Sequence, residues 1–96
     1  MKTLHEAASI GDIEEVKWLI AAGVDVNHSD GYHDTPLHVA SWYGHTEVVK
    51  LLIAGGANVD STTKVYQWTP ALVALYAGHT EIVELLRAAG AKELEK

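Results

Sequence analysis

The sequence is most distinctive for what it lacks: among its 96 residues there is no cysteine, no phenylalanine, one methionine and two prolines. Without cysteine the chain has no disulfide bond, no cysteine-ligated zinc and no thiol chemistry. No apolar run reaches the roughly 18–20 residues of a membrane span, and residues 1–6 have no signal-peptide pattern. At this length we expect a single domain covering residues 1–96.

Positive charge is also scarce. Seven Lys and Arg oppose thirteen Asp and Glu, for a net charge of −6. An acidic chain without a basic stripe repels phosphate backbones, so we expect no nucleic-acid partner. We likewise expect no membrane partner.

The chain repeats itself, and this is its main organising feature. A shift of 33 residues superimposes identical residues of the first and second units, among them Leu4 on Leu37, His5 on His38, Gly11 on Gly44 and Gly23 on Gly56. A shift of 34 superimposes Thr35 on Thr69, Pro36 on Pro70, Gly44 on Gly78 and Leu52 on Leu86. One extra residue therefore lies between Asp60 and Thr69, and the units are about 1–27, 28–60 and 61–96.

Each unit carries the signals of two helices. Thr35 can cap the first free amides of a helix and Pro36 suits its first position. The helix is predicted to extend to about Tyr43, where Gly44 ends it. A second helix, with valine, leucine and isoleucine on one face, starts near Thr46 and stops at a glycine pair. A helical pair cannot bury its apolar face alone, but stacked copies can.

The residues at 35–40, Thr-Pro-Leu-His-Val-Ala, resemble the T-P-L-H-x-A signature of ankyrin repeats at the matching period. The resemblance extends over nearly the whole chain and implies an all-α ankyrin-repeat solenoid of three stacked helix-turn-helix units with protruding turns. The first unit has Lys2-Thr3 in place of Thr-Pro. The third has Ala71-Leu72 where the pattern has Leu-His.

The aromatic residues are three Trp and four Tyr, the types favoured at protein interfaces. The resemblance implies that partners bind the protruding turns and the first helices, where six of the seven fall. We predict a partner-binding surface made of these six and four neighbours: Tyr32, Trp42, Tyr43, Tyr66, Trp68 and Tyr76, with His33, Asp34, Leu75 and Ile10. Trp18, the seventh, is expected to pack in the core or on the back face.

The six histidines divide into two groups. Four recur in register, and the resemblance implies structural hydrogen bonds for them: His5, His38, His45 and His79. His28 and His33 are left over. His33 occupies the position of the turn glycine in the ankyrin pattern, and His is among the residues that tolerate positive φ.

Two chemical alternatives involve the first turn. His28, Ser29, Asp30 and Asp34 contain the residue types of a hydrolytic triad, but neighbouring residues on a turn splay apart and no oxyanion hole is evident. His28, His33 and Asp34 could bind a metal by ligand type alone, without fixed spacing. We therefore predict no enzyme, no cofactor and no metal, with a designed hydrolase or metal site on an ankyrin scaffold as an alternative.

The functional prediction is a protein-binding module that resembles consensus-based designed ankyrin repeat proteins and is engineered. Its partner is expected to be another protein in a hetero-complex, and without that partner the aromatic surface could self-associate. We expect it to be cytoplasmic or recombinant and not secreted. The alternative of a natural ankyrin regulatory fragment shares the fold but has an evolved partner.

Overall fold

The computed structural model describes residues 2–91, and this part of the chain forms six α-helices and no β-strand. The helices come in three pairs, which are α1 (Leu4–Ile10) with α2 (Ile13–Ala21), α3 (Pro36–Tyr43) with α4 (Thr46–Ala54), and α5 (Pro70–Ala77) with α6 (Thr80–Ala88). This confirms the predicted all-α repeat architecture. The predicted domain ends at residues 1 and 92–96 lie outside the described residues.

The first helix of every pair begins at a threonine. The hydroxyl oxygens of Thr3, Thr35 and Thr69 each accept a hydrogen bond from the backbone N–H three residues later, at 3.1, 3.3 and 3.2 Å. Prolines 36 and 70 follow two of these caps, at a position where a missing N–H costs nothing. In the first unit Thr3 supplies the cap from the position that corresponds to Pro36, one residue later than the capping threonines of the other two units.

The six helices stack in two layers. α3 packs against both α1 and α5, and α4 packs against α2 and α6. The core between the layers is aliphatic, and its residues with no exposed surface include Ala7, Val16, Leu37, Ala40, Val48, Val49, Leu52, Ala74 and Leu86. Trp18 on α2 is about half exposed, which places it on the back of the molecule and not in the core.

Two histidines join consecutive pairs at the end of the first helices. Nε2 of His45 lies 2.9 Å from the carbonyl oxygen of Ser9, and Nε2 of His79 lies 3.1 Å from that of Trp42. Each ring covers the glycine that ends the helix of the preceding pair. At Gly44, where φ is +80°, an added Cβ would lie 2.7 Å from the His79 ring.

The turns between pairs project from the first helices and are called fingers below. Finger 1 is residues 24–34 and finger 2 is residues 57–68. Among residues 2–91 no helix has the length and apolar character that crossing a membrane requires.

Candidate binding surface

The tip of finger 1 is organised by one carboxylate. Oδ1 of Asp30 accepts hydrogen bonds from the backbone N–H of Tyr32 at 2.8 Å and of Asp34 at 3.1 Å, and the Asp30 N–H donates to the Asp34 carbonyl at 3.1 Å. Burial alone would raise the pKa of the Asp30 carboxyl, but these two amide donors, with the nearby His5 and His33, hold that pKa below its usual value. His33 has φ of +63°, so the predicted positive-φ turn is confirmed.

Finger 2 reproduces this turn with one residue more. Thr63 takes the place of Asp30, since its N–H donates to the Trp68 carbonyl and its hydroxyl oxygen accepts from the Trp68 N–H, both at 3.0 Å. Gln67, with φ of +55°, corresponds to His33. The extra residue that the repeat alignment predicts therefore lies inside the turn that Thr63 and Trp68 close.

The two fingers are hydrogen-bonded to each other. The N–H of Lys64 at the second tip donates to the carbonyl of Tyr32 at the first, at 3.0 Å. Near the base, the side chain of Asn27 accepts from the Asn58 N–H at 2.6 Å and donates to the Gly56 carbonyl at 3.2 Å. The fingers therefore form one connected surface.

Histidines anchor both fingers to the helices. Nε2 of His5 lies 2.8 Å from the Asp34 carbonyl, and Nε2 of His38 lies 2.8 Å from the Trp68 carbonyl. Burial lowers the pKa of His38, against the opposing effects of its bond to Trp68 and of the nearby Asp34 carboxylate. With the bonds of His45 and His79 described above, all four recurring histidines make the structural hydrogen bonds that were predicted for them.

An open groove of about 460 Å³ lies between the two fingers and the surface of α3. We call it the finger groove. Its lining combines residues from both fingers, α3 and α5: Tyr32, Asp34, His38, Val39, Trp42, Tyr43, Thr63, Val65, Tyr66, Trp68 and Val73. Six of the ten predicted site residues converge here, five of them aromatic.

The aromatic rings continue beyond the groove in a connected row. The ring of Tyr76 stacks on Trp42, with centroids 6.0 Å apart and planes 15° from parallel, and it meets Trp68 at 5.1 Å. Tyr66 contacts Trp68 in turn, at 6.2 Å. Tyr76 is thus the link between α3 and finger 2, although it does not line the groove itself.

The other predicted residues lie elsewhere. His33 borders a separate hollow of about 250 Å³ with residues of both finger bases, including Asn27 and Ser61. Ile10 and Leu75 are exposed at the ends of α1 and α5 but do not line the finger groove. The structure therefore divides the predicted site into a convergent aromatic group and three residues outside it.

Sequence reasoning missed the valines. Val65 lies at the tip of finger 2 and is 68% exposed, while Val39 and Val73 form the groove floor. Val39 and Val73 recur at the 34-residue shift, and recurrence alone does not distinguish a groove position from a core position. The sequence did offer a signal for Val65. The 34-residue shift aligns it with Gly31, so the fold does not need a side chain at this position and Val65 could have been predicted as a surface residue.

Two of the side chains that suggested catalysis or metal binding, Asp30 and His28, have other contacts in the structure. The Asp30 carboxylate is held by backbone amides, and the ring of His28 meets that of His5 edge-on at 6.0 Å. Within residues 2–91 no group of three or more His, Asp or Glu side chains is arranged to hold a metal ion.

Stacked helix pairs with hydrogen-bonded fingers define a helical repeat protein. The family model for ankyrin repeats, in three copies, matches residues 4–95, and the chain belongs to the ankyrin repeat family. Ankyrin repeats are generally protein-interaction modules. No curated protein matches this chain.

Proposed function

We propose that this chain binds a protein partner through the finger groove and the aromatic row beside it, in a hetero-complex. The observation that carries the proposal is the exposure of the rings where two fingers and two helices converge. Tyr32, Tyr66 and Tyr76 are each at least 70% exposed, and Trp42 and Tyr43 are about half exposed. Contiguous exposed apolar surface of this kind usually marks an interaction site.

The hydrophobic core contains none of these rings. The layer between the helices is filled by aliphatic side chains that are completely buried, such as Leu37, Val49 and Leu52. An aromatic ring that contributes little to the core exposes apolar area at a cost in solubility. Trp and Tyr are also the residues that most often dominate binding energy when a partner desolvates them.

The groove is held in shape before any partner arrives. The bonds from Lys64 to Tyr32 and from His38 to Trp68 fix the fingers to each other and to α3. A surface that is already ordered loses less conformational entropy on binding. The order of the fingers is therefore consistent with a binding role.

We also propose an engineered origin. The scaffold positions recur almost unchanged between units, while the residues at the finger tips and helix ends differ, as in ankyrin proteins whose binding positions have been varied. A natural homologue with the same Tyr32-His33-Asp34 and Trp42-Tyr43 would instead identify the chain as a natural fragment.

The proposal is tested by selecting protein ligands from a display library against the whole chain and measuring their Kd for matched variants. Trp42→Ala and Tyr43→Ala are expected to weaken the complexes at least tenfold with unchanged helicity by circular dichroism. Trp18→Ala is the matched control, because it removes an indole of comparable exposure from α2, in the other helix layer.

Light scattering on the free chain identifies any self-association that competes with the ligand. Ligands that bind all three variants equally would place the binding surface elsewhere and overturn the proposal. A loss of affinity in Trp18→Ala alone would do the same.

A further inference from the structure

We propose that the finger groove recognises a cationic side chain, arginine or lysine, on its partner. The inference rests on the proposed function and names the chemistry of the partner at that site. It depends on three features of the described residues, which are the rings, a carboxylate and the charge of the fingers.

The walls of the groove are aromatic. Tyr32 and Tyr66 come from the finger tips, Trp42 and Tyr43 from the end of α3, and Trp68 from the base of finger 2. The faces of indole and phenol rings carry a negative electrostatic potential, which attracts a guanidinium or ammonium group within about 6 Å of the ring centre. A guanidinium also stacks flat on such rings.

One acidic residue lines the same groove. Asp34 lines the groove, while its backbone is fixed by Asp30 and His5. Among the described residues its carboxylate makes no salt bridge with Lys, Arg or His, and no Lys or Arg lines the groove. A cationic side chain of the partner could therefore form a salt bridge with the Asp34 carboxylate, which has none within residues 2–91.

The surroundings are acidic as well. The two fingers contain four carboxylates against one Lys or Arg: Asp25, Asp30, Asp34 and Asp60 against Lys64. The first helices of the three pairs, α1, α3 and α5, add one carboxylate, Glu6, and no Lys or Arg. A negative surface on a chain of net charge −6 attracts cations over distance and repels acidic partners.

The dimensions suit a side chain and its immediate neighbours. A volume of about 460 Å³ is in the range of small-molecule pockets. The valines of the floor can contact the aliphatic stem of an arginine or lysine, while the rings and Asp34 surround its charged end.

The test uses peptide pairs that differ in charge alone. One pair is acetyl-Gly-Ser-Arg-Ser-Gly-amide and the same peptide with citrulline, and the other has lysine and acetyl-lysine. Binding is followed by NMR on the indole N–H signals of Trp42, Trp68 and Trp18. Saturable shifts are expected for Trp42 and Trp68 with the charged peptides, while Trp18 on the back serves as the reference.

We expect each charged peptide to bind at least fivefold more tightly than its neutral counterpart at low salt. Asp34→Asn should remove most of that preference. Asp25→Asn is the matched control, since it removes a finger 1 carboxylate outside the groove and should retain most of the preference. Lys64→Gln should raise affinity for the charged peptides about twofold.

Equal binding of charged and neutral peptides would overturn the cationic preference. If such binding is abolished by Trp42→Ala, the groove remains a protein-binding site and the proposed function stands. If no peptide shifts Trp42 or Trp68, the cationic inference is wrong, and the selected protein ligands described above decide the proposed function separately.

Discussion

Nε2 of the buried His38 lies 2.8 Å from the carbonyl oxygen of Trp68, so a histidine of α3 holds the aromatic residue at the base of finger 2. A carbonyl only accepts hydrogen bonds, and Nε2 therefore carries a proton. Nδ1 is left to accept from the backbone N–H of Thr35 at 3.2 Å and from its hydroxyl at 2.9 Å. These partners together require a neutral ring.

We expect the chain to lose stability as pH falls below the usual His pKa of 6.5. The folded-state pKa of His38 lies below that value, so the unfolded chain binds the proton first and unfolding becomes easier in acid. The titration of His38 alone can change the free energy of unfolding by at most about 1.4 kcal/mol per pH unit. Urea denaturation at pH 7.5, 6.5 and 5.5 measures it.

The control for this prediction is His38→Gln, which keeps a side-chain donor for the Trp68 carbonyl and does not titrate. The variant should be less stable at pH 7.5 but show a flatter dependence between pH 7.5 and 5.5. If its free energy of unfolding falls with pH as steeply as that of the parent chain, another group is responsible.

Gly44→Ala and Gly78→Ala are expected to differ in cost although both positions have positive φ, +80° and +85°. Each substitution pays about 1 kcal/mol for the left-handed backbone. A Cβ at Gly44 also meets the His79 ring at 2.7 Å, whereas one at Gly78 meets nothing within 4 Å. We expect Gly44→Ala to cost about 1–3 kcal/mol more, because the ring must move.

Thermal or urea unfolding of both variants measures this difference. Equal destabilisation would mean that the ring of His79 moves aside without loss of its bond to Trp42. Replacing His79 by alanine in each background separates the clash from the backbone strain, since only the Gly44→Ala penalty should shrink.

Much of the fold was predictable because short sequence signals determine where each helix starts and ends. The 33- and 34-residue shifts predicted the three helix pairs, because capping threonines, terminal glycines and bridging histidines act within or between neighbouring units. The positive φ of His33 was expected from the resemblance to ankyrin repeats, in which its position is the turn glycine. Each of these features depends on a short stretch of chain with one preferred geometry.

The composition of the groove was only partly predictable, because repeat register does not fix where a side chain in a turn points. Tyr32 and Tyr66 converge since the backbone of Lys64 bonds to that of Tyr32, a contact between turns that no periodicity indicates. Leu75 and Tyr76 are adjacent on α5, yet Tyr76 contacts the rings of Trp42 and Trp68 whereas Leu75 does not line the finger groove. Which of the two side chains belongs to the site depends on how α5 packs beside α3, and the repeat pattern does not give that.

Asp30→Ala is expected to loosen finger 1. The N–H groups of Tyr32 and Asp34 would lose their acceptor, at a cost of about 1 kcal/mol since both are exposed to water. Affinity for groove ligands should also fall, because Tyr32 and Asp34 line the groove. Urea denaturation and ligand titration measure the two effects.

Asp30→Asn is the matched variant, as its amide oxygen can still accept both bonds without a charge. The folded-state pKa of Asp30 is lowered from 3.8, so its ionised form contributes stability above that pH and the contribution is lost as pH falls through the folded-state value. Asp30→Asn should therefore keep the finger intact while weakening the acid dependence below about pH 4. Equal disruption by both substitutions would contradict the role of the acceptor.

Ser41→Ala is expected to stabilise the protein. Ser41 is fully buried in α3, and within the described residues its hydroxyl has no hydrogen-bond partner. Its counterpart at the 33-residue shift is Ala8, which is equally buried. Removing an unsatisfied hydroxyl while leaving almost the same volume should raise the free energy of unfolding by about 1 kcal/mol, measured by urea denaturation.

Ser9→Ala is the control for Ser41→Ala, because the Ser9 hydroxyl is exposed and donates to the Glu6 carbonyl at 2.8 Å. Its removal should change stability by less than about 0.5 kcal/mol. The Ser9 carbonyl, which bonds to His45, is unaffected by the substitution. A destabilised Ser41→Ala would mean that the buried hydroxyl does find a partner in solution, such as the carbonyl one turn earlier in α3.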